Sequence, residues 1–95
     1  MAVLRLDQFT IDPADTVELL TRHGALVAVA KDAFPGLIEV QFARVDDQTW
    51  LDVWRWDSLA SAQAAVSGAP AIPEAAAAFS VIKSITVEFA EVVDV

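Results

Sequence analysis

The chain has no cysteine, no tyrosine and no asparagine, and a single histidine among its 95 residues. Without cysteine there is no disulfide framework, no thiolate nucleophile and no thiolate metal site. One histidine, His23, with no carboxylate four residues away on its helical face, gives no metal-ligand pattern and suggests no cofactor. Basic residues are also scarce. Six of them (Arg5, Arg22, Lys31, Arg44, Arg55 and Lys83) stand singly against fourteen acidic residues, for a net charge of −8. Phosphate binding needs clustered Lys and Arg, so nucleic acid is excluded as a partner, and the acidity serves solubility. No apolar run reaches the ~18–20 residues of a membrane span. The N-terminal M-A-V-L-R-L-D lacks a basic region followed by an apolar core, so no signal peptide is read and a cytoplasmic location is expected. Gly24, Gly36 and Gly68 are isolated, which leaves no phosphate loop, dinucleotide fingerprint or nucleophile elbow.

Apolar residues, in contrast, are plentiful: 56% of the chain, with a mean hydropathy of +0.48. A chain of this length folds as one domain, residues 1–95, and buries only about 60–65% of its unfolded surface. The apolar surplus therefore predicts a subunit interface, and a homodimer is the expected form.

The organising stretch is Thr49 to Ala62, T-W-L-D-V-W-R-W-D-S-L-A-S-A, which holds all three tryptophans. Trp50, Asp52, Trp54 and Trp56 alternate with Leu51, Val53 and Arg55, so a strand places every tryptophan on one face. Asp57-Ser58 then caps a helix running to about Ser67. Earlier, Ala2 to Ile11 reads as a strand with Val3, Arg5, Asp7, Phe9 and Ile11 on one face. Asp12-Pro13 starts a helix reaching Lys31 or Ala33, whose stripe includes Leu19, Leu20, His23, Leu26, Val27 and Ala30. Phe34-Pro35-Gly36 ends it. Leu37 to Val45 is a second strand, with Ile38, Val40 and Phe42 on one face, and Asp46-Asp47-Gln48 turns it into the tryptophan strand. Pro70 and Pro73 break the chain before a short helix at Glu74 to Phe79, and Ser84 to Val95 forms a last strand whose far end pairs with a partner subunit.

The order β-α-β-β-α-β predicts an α+β ferredoxin-like fold, an antiparallel sheet with helices on one face. The bare face, for which Trp50, Phe42 and Ile85 are candidates, would pack against its copy as a dimeric α+β barrel.

Three stretches resemble the antibiotic biosynthesis monooxygenase (ABM) family: F-P-G-L-I-E-V at Phe34 to Val40, V-W-R-W-D-S-L-A-S-A-Q-A at Val53 to Ala64, and F-S-V-I-K-S-I-T-V at Phe79 to Val87. They occur in the family's order across nearly the whole chain. The resemblance implies a dimeric α+β barrel. It also implies a function drawn from cofactor-independent oxygenases of polyketide-type aromatics, quinol oxygenases, haem-degrading enzymes and proteins without assigned role. The haem-degrading branch has an Asn on strand one, a Trp in helix two and a His in the following segment. Here the last two places fall near Ala65 and Ala75, and there is no asparagine, so haem degradation is not expected. The histidine that many members carry around Pro70 to Glu74 is also missing.

The expected site follows from these residues. His23, on the sheet-facing stripe, is the candidate base or hydrogen-bond partner, and Arg5 the candidate charge stabiliser. Trp54 and Trp56 would form a flat wall for a small aromatic ligand, with Leu20 and Val27 beside them. Two functions fit: a cofactor-independent monooxygenase acting on a small aromatic or polyketide-like substrate, or a non-catalytic dimeric module for ligand binding or assembly. The thin polar inventory favours the second and the family resemblance the first.

Overall fold

The computed structural model describes residues 1–93. Its elements are β1 (Val3–Thr10), α1 (Thr16–Ala33), β2 (Leu37–Arg44), β3 (Thr49–Trp56), α2 (Leu59–Gly68), α3 (Pro73–Phe79) and β4 (Ser84–Glu91). They form a four-stranded sheet in the order β2-β3-β1-β4, with every neighbouring pair antiparallel. This is the expected α+β ferredoxin-like arrangement, with the helices on one face.

The ends of the elements have local causes. The Asp12 carboxylate accepts from the Ala14 amide at 3.0 Å, and a 3₁₀ turn over Pro13–Asp15 leads into α1. Glu18 pairs with Arg22 at 2.9 Å one turn apart. Ser58 caps α2 by accepting from Ser61 at 3.1 Å. The Asp46 carboxylate organises the β2–β3 turn, accepting from the amides of Gln48 at 2.9 Å and Thr49 at 2.7 Å. A second 3₁₀ turn, Ala69–Ala71, joins α2 to α3.

Cross-strand register explains the core. Phe9 lies opposite Trp50, Asp7 opposite Asp52, Arg5 opposite Trp54 and Val3 opposite Trp56. All these side chains point beneath the helices. Two apolar clusters result: Phe9, Ile11, Leu19 and Trp50 at one end, and Ala30, Trp54, Trp56 and Ala62 at the other. Between them the Asp7–Asp52 row forms a polar seam.

The faces differ from the sequence expectation in three places. Trp50 and Phe42 lie under the helices and not on the bare face, Trp50 being only 5% exposed. Ile85, opposite Phe9, is on that same helix side. A bulge between Leu37 and Glu39 makes Ile38 the extra residue on β2. It turns Leu37 inward beside Val40 and leaves Ile38 outside, because an inserted residue reverses the alternation that precedes it. The bare face carries instead Leu4, Leu6, Leu51 and Val53 among Gln8, Gln41, Arg55 and Glu88. Arg55 lies directly across from Glu39 on the neighbouring strand, but makes no ion pair among the described residues. The last strand ends at Glu91. Asp94 and Val95, read as its continuation, lie outside the described residues.

Candidate active site

The polar seam forms the floor of a cavity of about 90 Å³ between the sheet and the helices. α1 contributes His23 because residues 19, 23, 26 and 30 repeat at helical spacing toward the sheet. From β1 and β3 come Arg5, Asp7, Asp52, Trp54 and Trp56, and α2 and α3 close the cavity with alanines. Ala65 and Ala75 are among these small residues, so nothing bulky fills the space beside Trp54. Val66 and Phe79 line the cavity and are also solvent-exposed, which places its mouth between α2 and α3.

His23 is 8% exposed. Its Nε2 lies 2.9 Å from Asp52 Oδ2, its ring stacks on Phe42 with centroids 3.8 Å apart, and it meets Trp54 edge-on at 6.2 Å. A carboxylate only accepts, so in the neutral imidazole Nε2 carries the hydrogen and Nδ1 keeps the lone pair. Among the described residues Nδ1 has no hydrogen-bond partner. The arrangement holds an imidazole with a free acceptor nitrogen, oriented by a carboxylate, against an apolar cavity.

Beside this pair, Arg5 Nε donates to Asp7 Oδ1 at 2.9 Å. Burial pushes the Asp7 carboxyl above the ordinary aspartate range, and the neighbouring Asp52 charge adds to the rise. The hydrogen bond and charge of Arg5, and the charge of His23, pull the other way. Asp52 Oδ1 is buried without a partner, as is the indole N–H of Trp56. Trp54 and Trp56 stack with centroids 6.3 Å apart and form one wall.

The structure thus brings together four of the six residues expected from sequence: His23, Arg5, Trp54 and Trp56. Leu20 is 49% exposed and away from the cavity, because it lies one residue past Leu19 on the helix and turns toward solvent. Val27 packs beside Trp54 and Trp56 in the core but outside the cavity wall. Asp52 and Asp7 are site residues that sequence reasoning missed. Their signal was the alternation itself, which sets an aspartate among tryptophans on a face about to be buried.

No family model matches the sequence, and no curated protein sequence matches it. Solved structures do. A candidate antibiotic biosynthesis monooxygenase from Bordetella bronchiseptica superposes with a TM-score of 0.82 at 10% identity, over 97% of each chain. One from Caulobacter crescentus gives 0.79 at 16% identity, over 98% of this chain and 91% of that one. The chain has the ABM fold. SnoaB, a cofactor-independent oxygenase from Streptomyces nogalater, shares this ABM fold with a TM-score of 0.74 at 17% identity, over 99% of this chain and 95% of its own.

Proposed function

We propose that the protein is a cofactor-independent monooxygenase acting on a small aromatic or polyketide-like substrate bound in the cavity between sheet and helices. The observation that carries this reading is the His23–Asp52 pair, which leaves one imidazole nitrogen as a free acceptor at the floor of an apolar site. Nδ1 takes a proton from an activated hydroxyl or methylene of the substrate, and Asp52 stabilises the imidazolium. The electron-rich anion then reduces oxygen. A methylene becomes a carbonyl, one oxygen atom entering the substrate and the other leaving as water, so the substrate is its own reductant. Arg5 lies at the wall as a charge stabiliser for the anion, and Trp54 and Trp56 hold the ring. The fold shared with SnoaB supports the chemistry.

Size limits the substrate. An apolar void of about 150 Å³ is known to admit benzene. A cavity of about 90 Å³ therefore takes a ring only with part of it in the mouth, or with α2 and α3 moving apart.

The same reading takes residues 1–95 as one cytoplasmic domain working as a homodimer. Supporting the dimer, β4 is an edge strand whose inner row Ile85, Val87 and Phe89 is 38%, 41% and 45% exposed, since no helix covers it. No helix among the described residues is long and apolar enough to cross a membrane.

Oxygen uptake with one- and two-ring hydroquinones and methylene-activated phenols tests the proposal. Turnover that falls by about 10²–10⁴-fold in His23→Ala supports it. Tight binding of these aromatics, seen by tryptophan quenching, without oxygen uptake would establish the non-catalytic binding module instead.

A further inference from the structure

Asp7 is a buried carboxyl that the chemistry above leaves unused. It is 6% exposed, and its strand partner Asp52 is 5% exposed. The two stand directly opposite on antiparallel strands, where Cβ atoms lie about 4.5–5.5 Å apart and like charges repel. The charged groups facing Asp7 are few. Arg5 on its own strand binds its Oδ1, Asp52 comes from β3 and His23 from α1. Its β4 neighbour, Val87, and the α2 and α3 residues Ala62, Ala65, Ala75 and Ala78 carry none. Two carboxylates therefore share one guanidinium and an imidazole that is neutral when it serves as a base. Asp52 spends Oδ2 on His23 and leaves Oδ1 buried without a donor.

One proton resolves both problems. We propose that Asp7 is held as a neutral acid that donates to Asp52 Oδ1, so that a carboxylic acid–carboxylate pair, and not Asp52 alone, positions His23. Asp7 is then a positioning residue. Its proton removes the like-charge contact and supplies the missing donor. With both oxygens engaged, Asp52 keeps Nε2 protonated and the basic Nδ1 turned to the cavity. The direction in which burial shifts Asp7 agrees.

Infrared spectroscopy of the whole protein near pH 6, about two units above the ordinary aspartate value, tests the pair directly. A protonated-carboxyl band is expected that disappears in Asp7→Asn and persists in Asp47→Asn. No such band in the wild type, or one that survives Asp7→Asn, overturns the proposal. Nitrogen NMR of His23 gives a second reading. The Nε2–H tautomer is expected to dominate in the wild type and in Asp7→Asn, whose amide can replace the acid as donor, but to become mixed in Asp7→Leu. An unchanged tautomer in Asp7→Leu also overturns it, and if that variant does not fold, the infrared result still decides. Only the activity consequence rests on the oxygenase reading: kcat within about threefold of wild type in Asp7→Asn and at least tenfold lower in Asp7→Leu. Absence of oxygen uptake in every form defeats that reading and leaves the infrared and NMR tests of the pair intact.

Discussion

Replacing His23 by alanine removes a side chain whose contribution to stability can be worked from its surroundings. His23 and Asp52 side chains are 10% and 7% exposed, and the pair between them spans 2.9 Å. After the substitution Asp52 Oδ2 loses its hydrogen-bond donor inside the buried seam. Removing one member of a buried pair destabilises by about 3–5 kcal/mol. The stack on Phe42 is lost as well, which places His23→Ala in the upper part of that range. For a domain of this size each kcal/mol moves Tm by about 4–8 °C, so thermal unfolding followed by tryptophan fluorescence should show a fall of at least about 16 °C. His23→Gln separates stability from chemistry. Its amide can still donate to Asp52, so less than half of the loss is expected, yet it cannot accept a proton at neutral pH, and the proposed oxygenase activity should fall by about 10²–10⁴-fold in both variants. A melting temperature for His23→Ala within about 3 °C of wild type would refute the reasoning, because the pair would then matter no more than an exposed one.

Three further outcomes are expected. Because burial raises the Asp7 carboxyl, the native state binds its proton more tightly than the unfolded chain does, so its contribution is greatest below the ordinary value of 3.8 and is lost as pH rises through the folded value. Asp7→Asn should therefore gain stability relative to wild type between about pH 4 and pH 7, read from urea midpoints at both ends. A Cβ at Gly36 would overlap the Ser61 side chain, approaching its Cβ to 2.5 Å, at a point where no left-handed backbone is involved. Gly36→Ala should cost about 1–3 kcal/mol by chemical denaturation. Val87→Lys, in the exposed inner row of β4, should convert the proposed dimer to monomer by size-exclusion chromatography while leaving the fold unchanged by circular dichroism.

Much of the architecture could be read from local pattern. The W-L-D-V-W-R-W alternation put Trp50, Asp52, Trp54 and Trp56 on one face, and the cap residues Asp12 and Ser58 marked helix starts, as observed. The stripe containing Leu19, His23, Leu26 and Ala30 likewise turned His23 to the sheet. The bulge at Ile38 was not legible, because nothing in L-I-E-V marks an unpaired residue until β3 is laid beside it. Leu20 and Val27 share the stripe with His23 but lie outside the cavity wall, because a helical stripe is wider than the cavity it borders.

Away from the bulge at Ile38, the sequence by itself determined which residues share a face, since side-chain period follows from the backbone dihedrals of a strand or helix. It also determined the element order, and with it the fold class. Only the tertiary structure decided which faces meet. His23 reaches Asp52 across 29 residues, and Asp7 meets Asp52 because β1 and β3 pair in the register that sets them directly opposite. That register placed two aspartates, an arginine and a histidine between two apolar clusters. A polar seam of this kind depends on distances between elements, which local periodicity does not contain.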